Sequence, residues 1–364
     1  MTLAFALRED TFLPQGLNTP PLTITSPAAW RGCDLVKTPE KWRYDLSAAD
    51  IAELERAAKA YLALGRDVGE ITADAFPLTA FASHLRNLRH QLINGVGVEV
   101  ITGLPIERYD RETIAAIFCG IGAHLGPARS QNAAGHILGH VRDTGADPTD
   151  GNTRIYQTSA RQTFHTDSAD CVGLICLKDA KEGGDSLLVS AEAIYNRMAT
   201  EAPELLPRLF DPIATDRRGE VPAGMKPYME IPPFSWHAGK LTVFYQRQYI
   251  DSAQRFPEAM RLTDDHVAAL DLFDAIANDP EMHVRMRLAP GDMQFVYNHA
   301  HLHDRTGFVD WNKAEGRRHL LRLWLSLPDD RELPPVFAER YGDLTVGDRG
   351  GIVVEGMRLC APLD

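Results

Sequence analysis

From about residue 135 onward the chain is cut into short β-like runs by clusters of Gly, Pro and Asp, and this punctuation constrains the fold more than any other feature. HILGHVRD, CVGLICLKD, DSLLVS, LTVFYQR, DMQFVYNH and HLLRLWLSL are each apolar or β-branched and bounded by turn residues. Strands this short and this numerous bury their apolar faces only in a sandwich or barrel. Two helical stretches interrupt them, AEAIYNRMA and DDHVAALDLFDAIAND; Thr263 caps the second, with Asp264 and Asp265 in its first turn. The front half differs. Ser47 and Asp50 open a capping box ahead of IAELERAAKAYLAL, and Phe81, Leu85, Leu88 and Leu92 recur at helical spacing until Gly95 and Gly97. A strand, VGVEVITGLP, and a further helix, RETIAAIFCGIGAHLG, follow. The expected class is α+β with a mainly β core and surrounding helices: residues 46–364 as a single domain with a helical front half, after an extended arm over residues 1–45. The alternative is two domains split near residue 130.

Composition removes several classes of function. Lys and Arg total 38 against 50 Asp and Glu, a formal net charge of −12. A chain this acidic without a basic patch does not track nucleic-acid phosphates. The N-terminus lacks a basic signal-peptide region and meets Arg8-Glu9-Asp10 early; no run of 18 apolar residues occurs, so neither secretion nor a membrane is expected. Five scattered cysteines, none in a CxxC pair, fit a reduced, cytoplasmic protein. A homo-oligomer is compatible with the sequence, which does not specify one.

The sharpest chemical feature is His165-Thr166-Asp167, the one His-x-Asp in the chain. On a strand, i and i+2 share a face, and an imidazole beside a carboxylate supplies two ligands of a 2-His-1-carboxylate metal site. By itself the tripeptide is equally a surface His–Asp pair. Downstream, Asn298-His299-Ala300-His301-Leu302-His303-Asp304 offers a third ligand, with parity unable to choose among the three histidines. Further on, Arg318 and Arg322 share a strand face with Leu320 and Trp324. Guanidiniums among Leu and Trp need anions, and a dicarboxylate held by the Arg fork is one. Gly183-Gly184-Asp185-Ser186 forms a turn that would place a hydroxyl nearby.

His165-Thr166-Asp167, GGDS at 183–186, LHDRTGF at 302–308 and RRHLLRLWLS at 317–326 together resemble the taurine dioxygenase family, whose broader superfamily includes clavaminate synthase. The likeness covers roughly residues 90–328. It implies a distorted jelly-roll (double-stranded β-helix) and an Fe(II)- and 2-oxoglutarate-dependent oxygenase that consumes O2. In that family pattern His165, Asp167 and His303 correspond to the iron ligands, His303 being selected by its match to the Leu-His-x-Arg-Thr stretch. Arg318 corresponds to the anchor of the far 2-oxoglutarate carboxylate, Ser186 to the hydroxyl beside it, and Arg322 to a second arginine near the co-substrate or an anionic substrate group. The implied outcome is hydroxylation of an unactivated C–H bond with release of succinate and CO2; Asp167 disfavours halogenation, since halogenating relatives lack the carboxylate.

The substrate class is less defined. Arg322 requires a further anion or a protein acid, which points to a small polar, anionic substrate, and Arg247 would add to that if it faced inward. Tyr156, Gln157, Thr158, Trp236, His237 and the segment Tyr245–Tyr249 are candidates for pocket lining or for plain core packing. Gln131 and Asn132 read as a turn, Asn298 and Asp304 as partners of the ligand histidine. Two other classes remain: a jelly-roll Zn(II) hydrolase or isomerase, and a binding protein that has lost catalysis. The arginine pair and the intact triad speak against each in turn.

Overall fold

A computed structural model describes residues 19–147, 154–221, 224–352 and 356–364, so residues 1–18 of the expected arm lie outside the described residues. Its centre is a seven-stranded sheet. Across it run β1 (Arg43–Asp45), β2 (Val98–Thr102), β14 (Met293–Tyr297), β6 (Cys171–Lys178), β17 (His319–Leu325) and β3 (Ala128–Arg129), with β4 (Leu138–Val141) also paired to β17. A second sheet of four strands orders β13 (His283–Met286), β8 (Ser186–Ser190), β15 (His301–Arg305) and β5 (Gln162–His165). Three two-stranded ladders complete the β structure: β7 (Glu182–Gly183) with β16 (Phe308–Val309), β9 (Ile213–Asp216) with β10 (Tyr228–Ile231), and β11 (Phe234–His237) with β12 (Lys240–Val243).

Side-chain alternation turns these sheets into layers. In β17, Leu321, Leu323 and Leu325 pack outward against α2 (Ala48–Leu62), α3 (Ala80–Asn94) and α4 (Arg111–Leu125), whereas Leu320 packs inward. In β8, Leu187 and Val189 pack outward against α5 (Ala191–Glu201) and α7 (Asp264–Asn278), while Leu188 joins Val98, Val296 and Leu320 between the sheets. The result is helices, large sheet, small sheet, helices: a distorted jelly-roll with its active interior between the sheets.

Local signals explain the helix boundaries. Ser47 accepts from the Asp50 amide and Asp50 accepts in return, and Thr263 does the same with His266 at the third position of α7. The segment at 244–247 departs from the strand expected there. β12 stops at Val243 because the Tyr245 amide turns to Thr166 Oγ1 (3.0 Å), and α6 (Arg247–Ala253) begins two residues later. Residues 30–45 carry a short helix, α1 (Gly32–Leu35), and strand β1, which pairs in parallel with β2; Trp30, Leu35 and Trp42 are buried with the inter-sheet core.

One buried charge network ties the C-terminal segment to the strands. Arg349, fully buried, donates to Asp170 (2.7 Å) and Asp330 (2.9 Å), and Asp170 also accepts from His299 (2.8 Å). Arg349→Met is expected to lower unfolding stability by about 3–5 kcal/mol, because two carboxylates are left buried without their cation. Urea unfolding measures this directly, and a loss under about 1 kcal/mol would show that water reaches the network.

Candidate active site

β5 ends at His165, so Asp167 is not its strand mate; the chain turns at Thr166, whose amide donates to the Tyr245 carbonyl (2.9 Å). Asp167 is fixed instead by Asn298, which accepts from the Asp167 amide (2.9 Å) and donates to its carbonyl (2.7 Å). Asn298 thus positions the backbone of Asp167 rather than a histidine. Asp304 also has another partner, the bidentate guanidinium of Arg161 (3.0 Å).

The break between β14, which ends at Tyr297, and β15, which starts at His301, sets His299 apart, whereas His301 and His303 share β15 and differ in what they meet. His299 bonds Asp170. His301 stacks on Trp30 at 5.3 Å and its Nδ1 meets the Tyr297 carbonyl (3.0 Å). His303 lies opposite His165 in the β15–β5 ladder, their rings 4.1 Å apart. Ligand atoms of His165, Asp167 and His303 all lie within 4.8 Å of one another. Asp167 Oδ1 is 3.9 Å from His165 Nε2, and Oδ2 is 3.6 Å from His303 Nε2.

The electrostatics suit a cation. The His165 ring places Nδ1 2.8 Å from the Thr163 carbonyl, an N–H donor geometry that puts the lone pair on Nε2, where it accepts from the Gln162 side-chain amide (2.9 Å), a contact that a metal would displace. Burial, then His303, pulls the His165 pKa down to about 3, so the ring is neutral at pH 7. Burial alone would raise the Asp167 carboxyl; Arg322 foremost, then the two imidazoles, hold it well below the usual carboxylate range. The neutral His165 imidazole, the ionised Asp167 carboxylate and the His303 ring converge on one point and are the donor set of a facial triad. A second group of metal-ligating types, Asp170, His299 and Asp330, is already filled by the Arg349 guanidinium.

Two cavities meet at this cluster, and His165, Tyr156, Gln162 and Arg322 line both. The inner one is also lined by His303, Ser186, Arg305 and Arg318. Arg318 is 3 % exposed; its Nη2 donates to the Gly184 carbonyl (3.3 Å), its guanidinium lies over Phe308 at 5.2 Å, and its Nη1 has no hydrogen-bond partner. Gly184 is required here: its φ is +75°, and a Cβ would sit 2.8 Å from Arg318 Nε. Arg305 is a second buried cation over Phe308 (4.8 Å), with Nε unpartnered; burial, then Arg318, brings its pKa to about 9. A dianionic co-substrate would meet both guanidiniums here, so the cavity fits 2-oxoglutarate.

Arg322 corrects an expectation. Its Nη1 donates to Asp167 Oδ2 (3.0 Å), its Nε to Gln131 Oε1 (2.8 Å), and its plane lies over Tyr156 and Trp324. A protein carboxylate already answers this guanidinium, so it gives no ground for an anionic substrate. Nor does Arg247, which pairs with Asp251, Asp271 and Asp274 and lines neither cavity. The outer cavity takes Gln131, Asn132, Tyr156, Tyr245, Gln246 and Tyr249 as lining; Trp236 and His237 are not among its walls. Gln131 was legible only as a turn residue, and Trp324, whose Nε1 donates to Asp167 Oδ2 (2.9 Å), only as an apolar one. Arg154, Arg217 and Arg340 also line this cavity and carried no sequence signal, since each needs the fold to bring it in.

Fold and site together define a jelly-roll protein with a buried His/Asp/His cluster beside a cationic inner pocket. The sequence model of the taurine catabolism dioxygenase TauD, TfdA family matches residues 61–324, and the chain belongs to that family. It is 33 % identical to FR-33289 synthase of Streptomyces rubellomurinus over 320 residues, 85 % of this chain and 92 % of that protein. It is 28 % identical to a uridine-5'-phosphate dioxygenase of an Amycolatopsis species over 195 residues, 50 % of this chain and 66 % of that protein. Among solved structures, asparagine oxygenase with Fe(II), 3-hydroxyasparagine and succinate superposes with a TM-score of 0.61 at 17 % identity, covering 78 % of this chain and 93 % of that one. The non-heme iron oxygenase OrfP with Fe and alpha-ketoglutaric acid gives a TM-score of 0.58 at 15 % identity over the same shares. No helix among the described residues is long and apolar enough to cross a membrane.

Proposed function

We propose that the chain is an Fe(II)- and 2-oxoglutarate-dependent dioxygenase that hydroxylates an unactivated C–H bond of a small polar molecule, with release of succinate and CO2. The carrying observation is the unpartnered Arg318 Nη1, buried in the same cavity that His165 and His303 line. A zinc hydrolase or isomerase has no use for that group, whereas a dicarboxylate chelating a neighbouring metal does. His165 and His303 would hold iron through Nε2 and Asp167 through a carboxylate oxygen. When bound, iron and 2-oxoglutarate supply the oxidative activation of O2.

The protein's own groups do the rest. Arg318 binds the far carboxylate of 2-oxoglutarate, with Ser186 lining the same cavity. Arg322 and Trp324 both donate to Asp167 Oδ2, which fixes the carboxylate and leaves Oδ1 turned toward His165. The Tyr156 ring lies against the Arg322 guanidinium at 4.9 Å. The outer cavity, open to His165 and Asp167, receives the substrate. Two solved neighbours, asparagine oxygenase with 3-hydroxyasparagine and OrfP with (3S)-hydroxy-L-Arg, support a small polar substrate. Residues 46–364 act as one oxygenase domain, and five free cysteines support a reduced cytoplasmic setting.

Anaerobic addition of Fe(II) and then 2-oxoglutarate is expected to produce the weak visible band of a chelated 2-oxo acid. Admission of O2 with a panel of small polar molecules should then release succinate in proportion to hydroxylated product. Zn(II) binding with neither band nor succinate under Fe(II) would favour the hydrolase instead.

A further inference from the structure

The outer cavity holds more positive charge than its carboxylates answer. Arg154 is paired with Glu220, Asp216 with Arg255 (3.0 Å), and Arg322 with Asp167 (3.0 Å). Arg217 and Arg340 are left over: among the described residues neither makes an ion pair. Arg217 is 3 % exposed and donates only to two carbonyls, Lys226 (3.1 Å) and Glu339. The Glu339 carboxylate is itself occupied by the Glu230 amide (2.8 Å). Arg340 donates through Nε to the hydroxyl of Ser168, the residue after Asp167. Burial, reinforced by Arg340, pulls the Arg217 guanidinium below its ordinary value; burial does the same to Arg340. Glu339 favours the Arg217 charge and Glu220 that of Arg340, but from beyond ion-pair distance, and burial outweighs both. A buried cation beside a half-buried one, neither in an ion pair, is costly, and the arrangement is accounted for when an anion from outside completes it.

We propose that Arg217 and Arg340 form a substrate subsite for a doubly charged oxyanion of the phosphate-monoester class, set beside the metal cluster. The proposal rests on the outer cavity being the substrate pocket of the oxygenase read above. A tetrahedral dianion offers three terminal oxygens and two charges, which match two forked donors; a single carboxylate or sulfate ester answers one. The subsite is separate from the inner Arg318 cavity and depends on segments after residue 210 and beyond residue 325, so it selects among substrates without altering the metal ligands.

The probe is ethyl phosphate, titrated by calorimetry into the full chain loaded anaerobically with Fe(II) and 2-oxoglutarate, so that the inner anion site is filled. Ethyl sulfate and ethanol serve as the singly charged and neutral analogues. Ethyl phosphate is expected to bind tightest, and Arg340→Gln, which keeps a donor toward Ser168, to weaken it by about 30-fold or more. Arg217→Gln should do the same and provides a second variant if the first unfolds, while Arg247→Gln, whose side chain is not among the cavity walls and pairs with Asp251, Asp271 and Asp274, should leave binding unchanged. Equal affinity for ethyl sulfate or ethanol, or unaltered ethyl phosphate binding in folded Arg340→Gln and Arg217→Gln, overturns the subsite. The visible band recorded in the same samples separates the two readings. Its absence counts against the oxygenase, and its presence with no effect of either arginine counts against the subsite alone.

Discussion

His303→Ala is expected to lower Fe(II) affinity by more than about 100-fold, the upper end of what loss of a mere outer partner costs, and to abolish succinate formation. His301→Ala should keep both, because its ring faces Trp30 and its Nδ1 faces the Tyr297 carbonyl, away from Asp167. His301→Ala should instead destabilise the fold, since the imidazole is fully buried. Equilibrium Fe(II) titration of the two variants decides between them; retained affinity in His303→Ala with loss in His301→Ala would reverse the assignment of the distal ligand.

Arg318→Ala is expected to weaken 2-oxoglutarate by about 30-fold at the least, equivalent to about 2 kcal/mol or more for a buried carboxylate deprived of its charged partner. Iron affinity should change far less, as Arg318 donates to no triad residue among the described contacts. Arg318→Lys restores the charge but not the two-pronged donor, so it should recover only part of the loss. Titration of the visible band against 2-oxoglutarate measures both variants. An unchanged midpoint in Arg318→Ala would move the anchor to Arg305, the other buried guanidinium over Phe308.

What could be read in advance divides along a physical line. Capping boxes at Ser47 and Thr263, the strand runs and the alternation of β17 are local, and a chain carries local preferences in its order of residues. His165, Asp167, Ser186, His303 and Arg318 are brought to one place, although Asp167 gets there through a turn held by Asn298 rather than through strand parity. The partners of the arginines were not legible. Whether Arg322 meets a substrate or Asp167, and whether Arg247 points in or out, depends on which distant acid the tertiary structure brings up. Residues such as Arg217 and Arg340 are hundreds of positions from the front of the chain and over a hundred from each other, and no periodicity links them.

The alternation of β17 carries an evolutionary corollary. Leu321, Leu323 and Leu325 fill the helix-facing layer, while Arg318, Arg322 and Trp324 belong to the chemistry on the opposite face. A single-residue insertion or deletion early in this strand would exchange the faces of the residues beyond it, sending leucines toward the cavity and Arg322 and Trp324 into the apolar layer. Unless a bulge absorbs it, as the register shift between His319 and Leu320 shows a strand can, a length change here costs stability and co-substrate use together. The outer cavity is built differently. Arg217 follows a two-stranded ladder and Arg340 lies in α8 (Ala338–Tyr341), neither in the large sheet. Those segments can lengthen, shorten or be replaced without moving a ladder of the core, which lets selection try new substrates on an engine it does not have to rebuild.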